Sequence, residues 1–155
     1  MTTITAPETA LRARLIETLT KEFEVEGIRF LNDRLHDSKG REGAIGAVYP
    51  GPTQVQFADE NVLEPTAYVQ LFRKWTAEVD PNKAVDPTAI EEFGERIRRA
   101  CEEDSAQGAE AGTSHLWFYS VRRIEYPPDP GGNITRLLAT VVGTAQNPAM
   151  VATTG

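Results

Sequence analysis

Apolar residues recur at every fourth position near the start of the chain: Leu11, Leu15, Leu19 and Phe23, with Ile16 beside them. Arg12, Arg14, Glu17, Lys21 and Glu22 fill the positions between. This spacing predicts an amphipathic helix of about 17 residues with one buried stripe. Thr5 is placed to cap it, Pro7 suits its first turn, and Glu8 completes a capping-box pattern. A second helical period runs through Ile90, Phe93, Ile97, Ala100 and Cys101 and predicts a helix over 88–101. Asp86 suits its N-cap and Pro87 its first position. Glu91, Glu92 and Glu95 come early and Arg96, Arg98 and Arg99 late, as the helix dipole favours. Glu92 with Arg96 and Glu95 with Arg99 are the expected ion pairs, each stabilising by roughly 0.2–0.5 kcal/mol.

Elsewhere the period is two. Ala67–Trp75 alternates as a strand, with Val69, Leu71 and Trp75 on one face and Tyr68, Gln70, Phe72 and Lys74 on the other. Apolar bulk on both faces predicts cover on both sides, from helix 88–101 or from a partner. Residues 115–126 and 134–142 read as two long strands around Pro-Pro-Asp-Pro-Gly-Gly-Asn, a run of turn formers. This hairpin is expected at the centre of the sheet, with Leu116, Phe118, Ile124, Leu138 and Val142 in the core. A hairpin this long can also pair its edge with another copy. Ala44–Tyr49 reads as a short strand stopped by Pro50-Gly51-Pro52, with a second candidate at 53–57 and a loop at 58–65. Ile28–Leu35 fits either a short helix or an extended segment. Residues 37–43 and 102–114 read as polar loops, the second mobile. The element order predicts an α+β fold: a mostly antiparallel sheet with a long C-terminal β-hairpin and two amphipathic helices packed on one face. One domain is expected over 1–147, with a flexible tail at 148–155.

Composition narrows the function more by exclusion than by direction. The chain has 155 residues, 40% hydrophobic and 25% charged, as in an ordinary single globular domain. Its net charge of −7 argues against direct nucleic-acid recognition, which needs a positive patch. The acidic excess lies between Glu78 and Glu110, and reads as a solvated face or as a docking surface for a basic partner. Cys101 is the single cysteine, so no internal disulfide is expected, and its helical position reads as a small buried hydrophobe. Met1-Thr-Thr-Ile-Thr lacks the basic start and apolar core of a signal peptide. No apolar run approaches the ~18 residues of a membrane span. Folding in a reducing, aqueous compartment is expected.

Catalytic patterns are missing as well. The chain has no P-loop, no Gly-x-Gly-x-x-Gly and no Gly-x-Ser-x-Gly. His36 and His115 lie far apart, and neither has a carboxylate at metal-ligand spacing. Asp129 is a turn former first. Trp117, Phe118, Tyr119 and Tyr126 suit core or interface packing better than base stacking in so acidic a chain. No catalytic residue, metal site or cofactor is expected.

Several segments occur in a telling order. An N-terminal amphipathic helix precedes Val48-Tyr49-Pro50. Then come Ala67-Tyr68-Val69-Gln70-Leu71-Phe72, and a helix led by Asp86-Pro87 with Ile90, Glu91 and Ile97. An aromatic strand finally turns through Asp129-Pro130-Gly131-Gly132-Asn133 into Thr135-Arg136-Leu137-Leu138-Ala139-Thr140-Val141. Over roughly residues 5 to 147 this order resembles the tail terminator proteins of long-tailed (siphovirus) bacteriophages, the lambda U-protein type, as found in phages of actinobacteria. The resemblance implies a structural virion protein made in the host bacterial cytoplasm. It implies a homohexameric ring at the head-proximal end of the tail tube. Such a ring stops addition of major tail tube protein, meets the head-closure or neck protein, and lets DNA pass through its lumen. It involves no cofactor, no chemistry and no membrane. Another head-tail connector component is the nearest alternative, and a small α+β ligand-binding domain or enzyme a third. Tyr68, Phe72 and Trp75 are the candidate subunit interface, and Glu91, Glu95, Glu102 and Glu103 the candidate acidic docking face.

Overall fold

The leucine period forms helix α1 (Pro7–Glu22), whose Leu11, Leu15 and Leu19 are fully buried. Phe23, just past its end, is buried too. In the computed structural model the described residues are 6–32, 43–56, 59–74, 88–106, 116–127 and 134–147. The N-cap is Ala6, without a side-chain cap, and Pro7 opens the helix. Glu8 Oε1 accepts a hydrogen bond from Thr53 Oγ1 at 2.7 Å. Thr5, Asp86 and Pro87 lie outside the described residues, as do Trp75, both histidines and the tail 148–155.

After α1, Gly27 takes a positive φ of 69° and turns the chain into the short strand β1 (Phe30–Leu31). The ambiguous 28–35 segment is therefore extended where it is described. Strands β2 (Gly43–Gln56) and β3 (Asp59–Lys74) follow, then helix α2 (Thr88–Ala106), and strands β4 (Leu116–Glu125) and β5 (Ile134–Gln146). The sheet order is β1-β2-β3-β5-β4; β1 runs parallel to β2, and the other pairs are antiparallel. Both helices cover one face. Val48, Val69, Leu71, Leu137, Ala139 and Val141 meet Leu11, Leu15, Leu19, Ile90, Ile97 and Cys101 there in one core. The fold is thus the α+β arrangement expected from the element order.

Several local expectations change. The C-terminal hairpin is not the centre of the sheet: β3 is the middle strand and β4 lies at an edge. Phe118 is 52% exposed, because an irregularity between Leu116 and Phe118 inserts a residue and reverses the facing. In β5 the buried residues are Leu137, Ala139 and Val141; Leu138 and Val142 stand half-buried on the opposite face. Pro50-Gly51-Pro52 does not stop β2. The strand bulges between Pro50 and Thr53 and continues, and 59–65 is strand rather than loop. Only the two residues of β1 flank the outer side of β2 among the described residues, so prolines there forfeit few ladder bonds. Helix α2 runs on to Ala106, taking 102–106 out of the expected mobile loop.

The ion pairs also differ from the helical-spacing expectation. Arg96 turns away from Glu92 and reaches the end of α1. It donates to Glu22 Oε1 at 3.1 Å, to the Glu22 carbonyl oxygen at 2.8 Å and to the Glu26 carboxylate. Its guanidinium lies 4.4 Å from the Phe23 ring centroid. One arginine thereby caps the C-terminus of α1 and ties the helices together. Arg98, not Arg99, holds Glu95, and it also holds Glu102.

Candidate functional site

Strand alternation places Tyr68, Gln70 and Phe72 opposite the helices, because Ala67, Val69 and Leu71 face them. Helix α2 therefore does not cover the two candidate aromatics. They belong to the second face of the sheet, over which no described element packs. Register extends this face sideways: Tyr49 pairs with Tyr68, Ile45 with Phe72, Thr140 with Tyr68, Leu138 with Gln70 and Arg136 with Phe72. The Tyr49 and Tyr68 rings lie 5.2 Å apart, and the Arg136 guanidinium sits 5.4 Å from the Phe72 centroid. Ala47 and Val62 are buried on this face, while the larger side chains stand half out of it. Sequence reading named Tyr68 and Phe72 from apolar bulk on a supposedly polar face. Tyr49 and Leu138 escape such a reading, since Ala44–Tyr49 looks like a short separate strand and Leu138 like a core position.

The acidic candidates occupy another side. Glu91, Glu95, Glu102 and Glu103 are all exposed on α2, which packs on the opposite face of the sheet. Glu95 and Glu102 both bind Arg98, so this surface is an ion-pair ladder with a negative excess. The Arg98 hydrogen bond holds the Glu95 carboxyl below its ordinary range. Tyr126, 42% exposed at the end of β4, lies against the same region. Burial, then the charges of Glu91 and Glu95, push its hydroxyl pKa up. Gly94 permits this approach, since a Cβ there would collide with the Tyr126 hydroxyl oxygen. The structure does not bring the acidic and aromatic candidates together.

A third cluster joins α1, α2 and β4. Arg14 binds Asp104 through two nitrogens, at 2.8 and 3.2 Å, and the Tyr119 hydroxyl donates to Asp104. The Tyr119 backbone N–H donates to Ser105 Oγ at 3.1 Å. Burial works against the Asp104 charge, but hydrogen bonds from Arg14, Tyr119 and Thr18 outweigh it and hold the carboxyl below its usual 3.8. Burial and the Asp104 bond push the Tyr119 phenol up. Burial likewise pushes the neighbouring Cys101 thiol up to about 12, which suits a packed hydrophobe and not a nucleophile. The cluster's charged groups satisfy one another, as structural ties do. A polar groove of about 570 Å³ runs beside it, lined by Glu17, Lys21 and Glu103 among others. Among the described residues no group of His, Cys, Asp and Glu is arranged to hold a metal ion, and no helix is long and apolar enough to cross a membrane.

No protein-family model matches the chain, and no curated protein matches it.

Proposed function

We propose that this protein is a phage tail terminator, a structural virion component that forms a six-fold ring on the head-proximal end of the tail tube. In this reading it stops tube polymerisation and joins tail to head, without catalysis or a cofactor. The observation that carries the reading is the second sheet face. Tyr49, Tyr68, Phe72 and Leu138 stand half-buried together on a face over which neither described helix packs. A monomer has little reason to display such a surface; a ring subunit needs one. The order of segments along the chain supports the same family.

Tyr68 and Phe72, with Trp75 just beyond the described part of β3, are assigned to contacts between subunits. Glu91, Glu95, Glu102 and Glu103 are assigned to docking a basic neighbour in the tube or neck. The partners are further copies of the chain, the major tail tube protein and the head-closure protein, with DNA passing through the lumen unread. The test adds purified protein to polymerising tail tube protein. A terminator arrests tube growth at a ratio of a few copies per tube. Tubes that lengthen undisturbed, with the added protein bound instead to DNA-filled heads, would move it to another neck position.

A further inference from the structure

We propose that the groove between α1 and α2 receives an arginine side chain of the basic neighbour and gives the docking face its anchoring point. The inference rests on the reading of α2 as an acidic docking face and places the anchor at Glu103.

The groove follows from the way the helices pair. Arg14 on α1 binds Asp104 on α2, and Arg96 on α2 binds Glu22 on α1, so the helices run antiparallel and are tied at two levels. The ties stand about 12 Å apart along each helix, at ~1.5 Å per residue. Between them lie Thr18 and Ala100, and Ala100 brings only a methyl group to the floor. Small side chains between two braces leave the cavity of about 570 Å³.

Its rim is charged and unsatisfied. Glu17 and Lys21 stand on the α1 wall and Glu103 on the α2 wall. All three are exposed, so the rim is open to solvent. Among the described residues none of these side chains makes a hydrogen bond or an ion pair. On the same helix as Glu103, by contrast, Glu95 and Glu102 both close on Arg98. Within the groove Asp104 matches Arg14, and Arg96 matches Glu22. That leaves two free carboxylates, one from each wall, against one free ammonium.

This mixture of signs selects the occupant. A compact metal ion would meet the Lys21 ammonium, and a lone carboxylate or phosphate would meet Glu17 and Glu103. A guanidinium presents a planar fork of N–H donors and can bind carboxylates on two walls at once. An arginine laid along the groove also brings its own peptide backbone, whose carbonyl oxygen accepts from Lys21. One base carried on a peptide thus satisfies all three free groups.

Fluorescence anisotropy with a labelled hexa-arginine peptide at low ionic strength tests this on the whole protein. The peptide should bind, and a hexa-lysine peptide of equal charge should bind at least about threefold more weakly. Glu17→Gln with Glu103→Gln should weaken hexa-arginine binding at least about tenfold. Glu24→Gln with Glu92→Gln removes the same charge at exposed positions outside the groove and should cost less than about threefold. Ala100→Leu changes no charge but fills the floor; with native circular dichroism confirmed, it should lose binding too. If it fails to fold, the two glutamine pairs decide alone. No binding by the wild type, equal loss from both glutamine pairs, equal affinity for hexa-lysine, or a folded Ala100→Leu that binds as the wild type does overturns the proposal. Binding lost with Glu95→Lys and Glu102→Lys but kept with Glu17→Gln and Glu103→Gln would remove the groove and leave acidic docking on α2 in place. Peptide binding in the groove with normal virion yield from the Glu17→Gln and Glu103→Gln pair would keep the site and remove its docking role.

Discussion

Asp104 shows how much one side chain holds together. It accepts from Arg14 on α1 and Tyr119 on β4, and it sits in the last turns of α2. Asp104→Asn keeps the shape and removes the charge. It should destabilise the protein by about 1–3 kcal/mol at neutral pH, since the partly buried Arg14 then lacks its carboxylate. The pH dependence has a definite sign. The folded carboxyl titrates below the ordinary 3.8, so its contribution is full above that value and is lost as pH falls through the folded pKa. Urea unfolding from pH 7 to 2.5 should show a constant gap between wild type and Asp104→Asn above about pH 5, closing below 3.8. A gap that persists unchanged to the lowest pH would show that the charge is not what matters.

Strand β5 tests the corrected facing. Its sequence contains the doublets Leu137-Leu138 and Val141-Val142, so a period of two fits either face equally well. In the structure Leu137, Ala139 and Val141 take the core side. Leu137→Ala should therefore cost about 2–5 kcal/mol, and Leu138→Ala in the dilute monomer less than about 1.5 kcal/mol. Equal losses in chemical denaturation would argue that the register is wrong. The helices were legible for the opposite reason: the spacing of Leu11, Leu15 and Leu19 admits one buried stripe only. Phe118 was misread because a bulge leaves no mark on an alternation pattern. The continuation of β2 through Pro50 and Pro52 was hidden because proline's effect on a strand depends on which neighbours it has. The aromatic half of the candidate site was legible as surplus apolar bulk at Tyr68 and Phe72. Tyr49 and Leu138 were not, since their membership depends on strand order.

At the scale of the molecule, two candidate surfaces lie on opposite sides: the sheet face that carries Tyr68 and Phe72, and the acidic face of α2. The second is separable from the fold. Glu95 and Glu102 are exposed, and their bonds to Arg98 lie at the surface, where such pairs contribute little to stability. The double reversal Glu95→Lys with Glu102→Lys should leave circular dichroism and unfolding midpoint nearly unchanged, yet block joining of heads to tails in an infectivity complementation assay. Normal virion yield from that variant would remove acidic docking from α2 without touching the sheet-face account.

The ring itself is the central claim, and averaged cryo-electron micrographs of tail ends test it most directly. Tails completed with this protein should carry one six-fold layer of it at the head-proximal end, with Tyr68 and Phe72 inside contacts between subunits. Tails that end in bare tube protein, or that carry a single copy off the axis, would contradict the account.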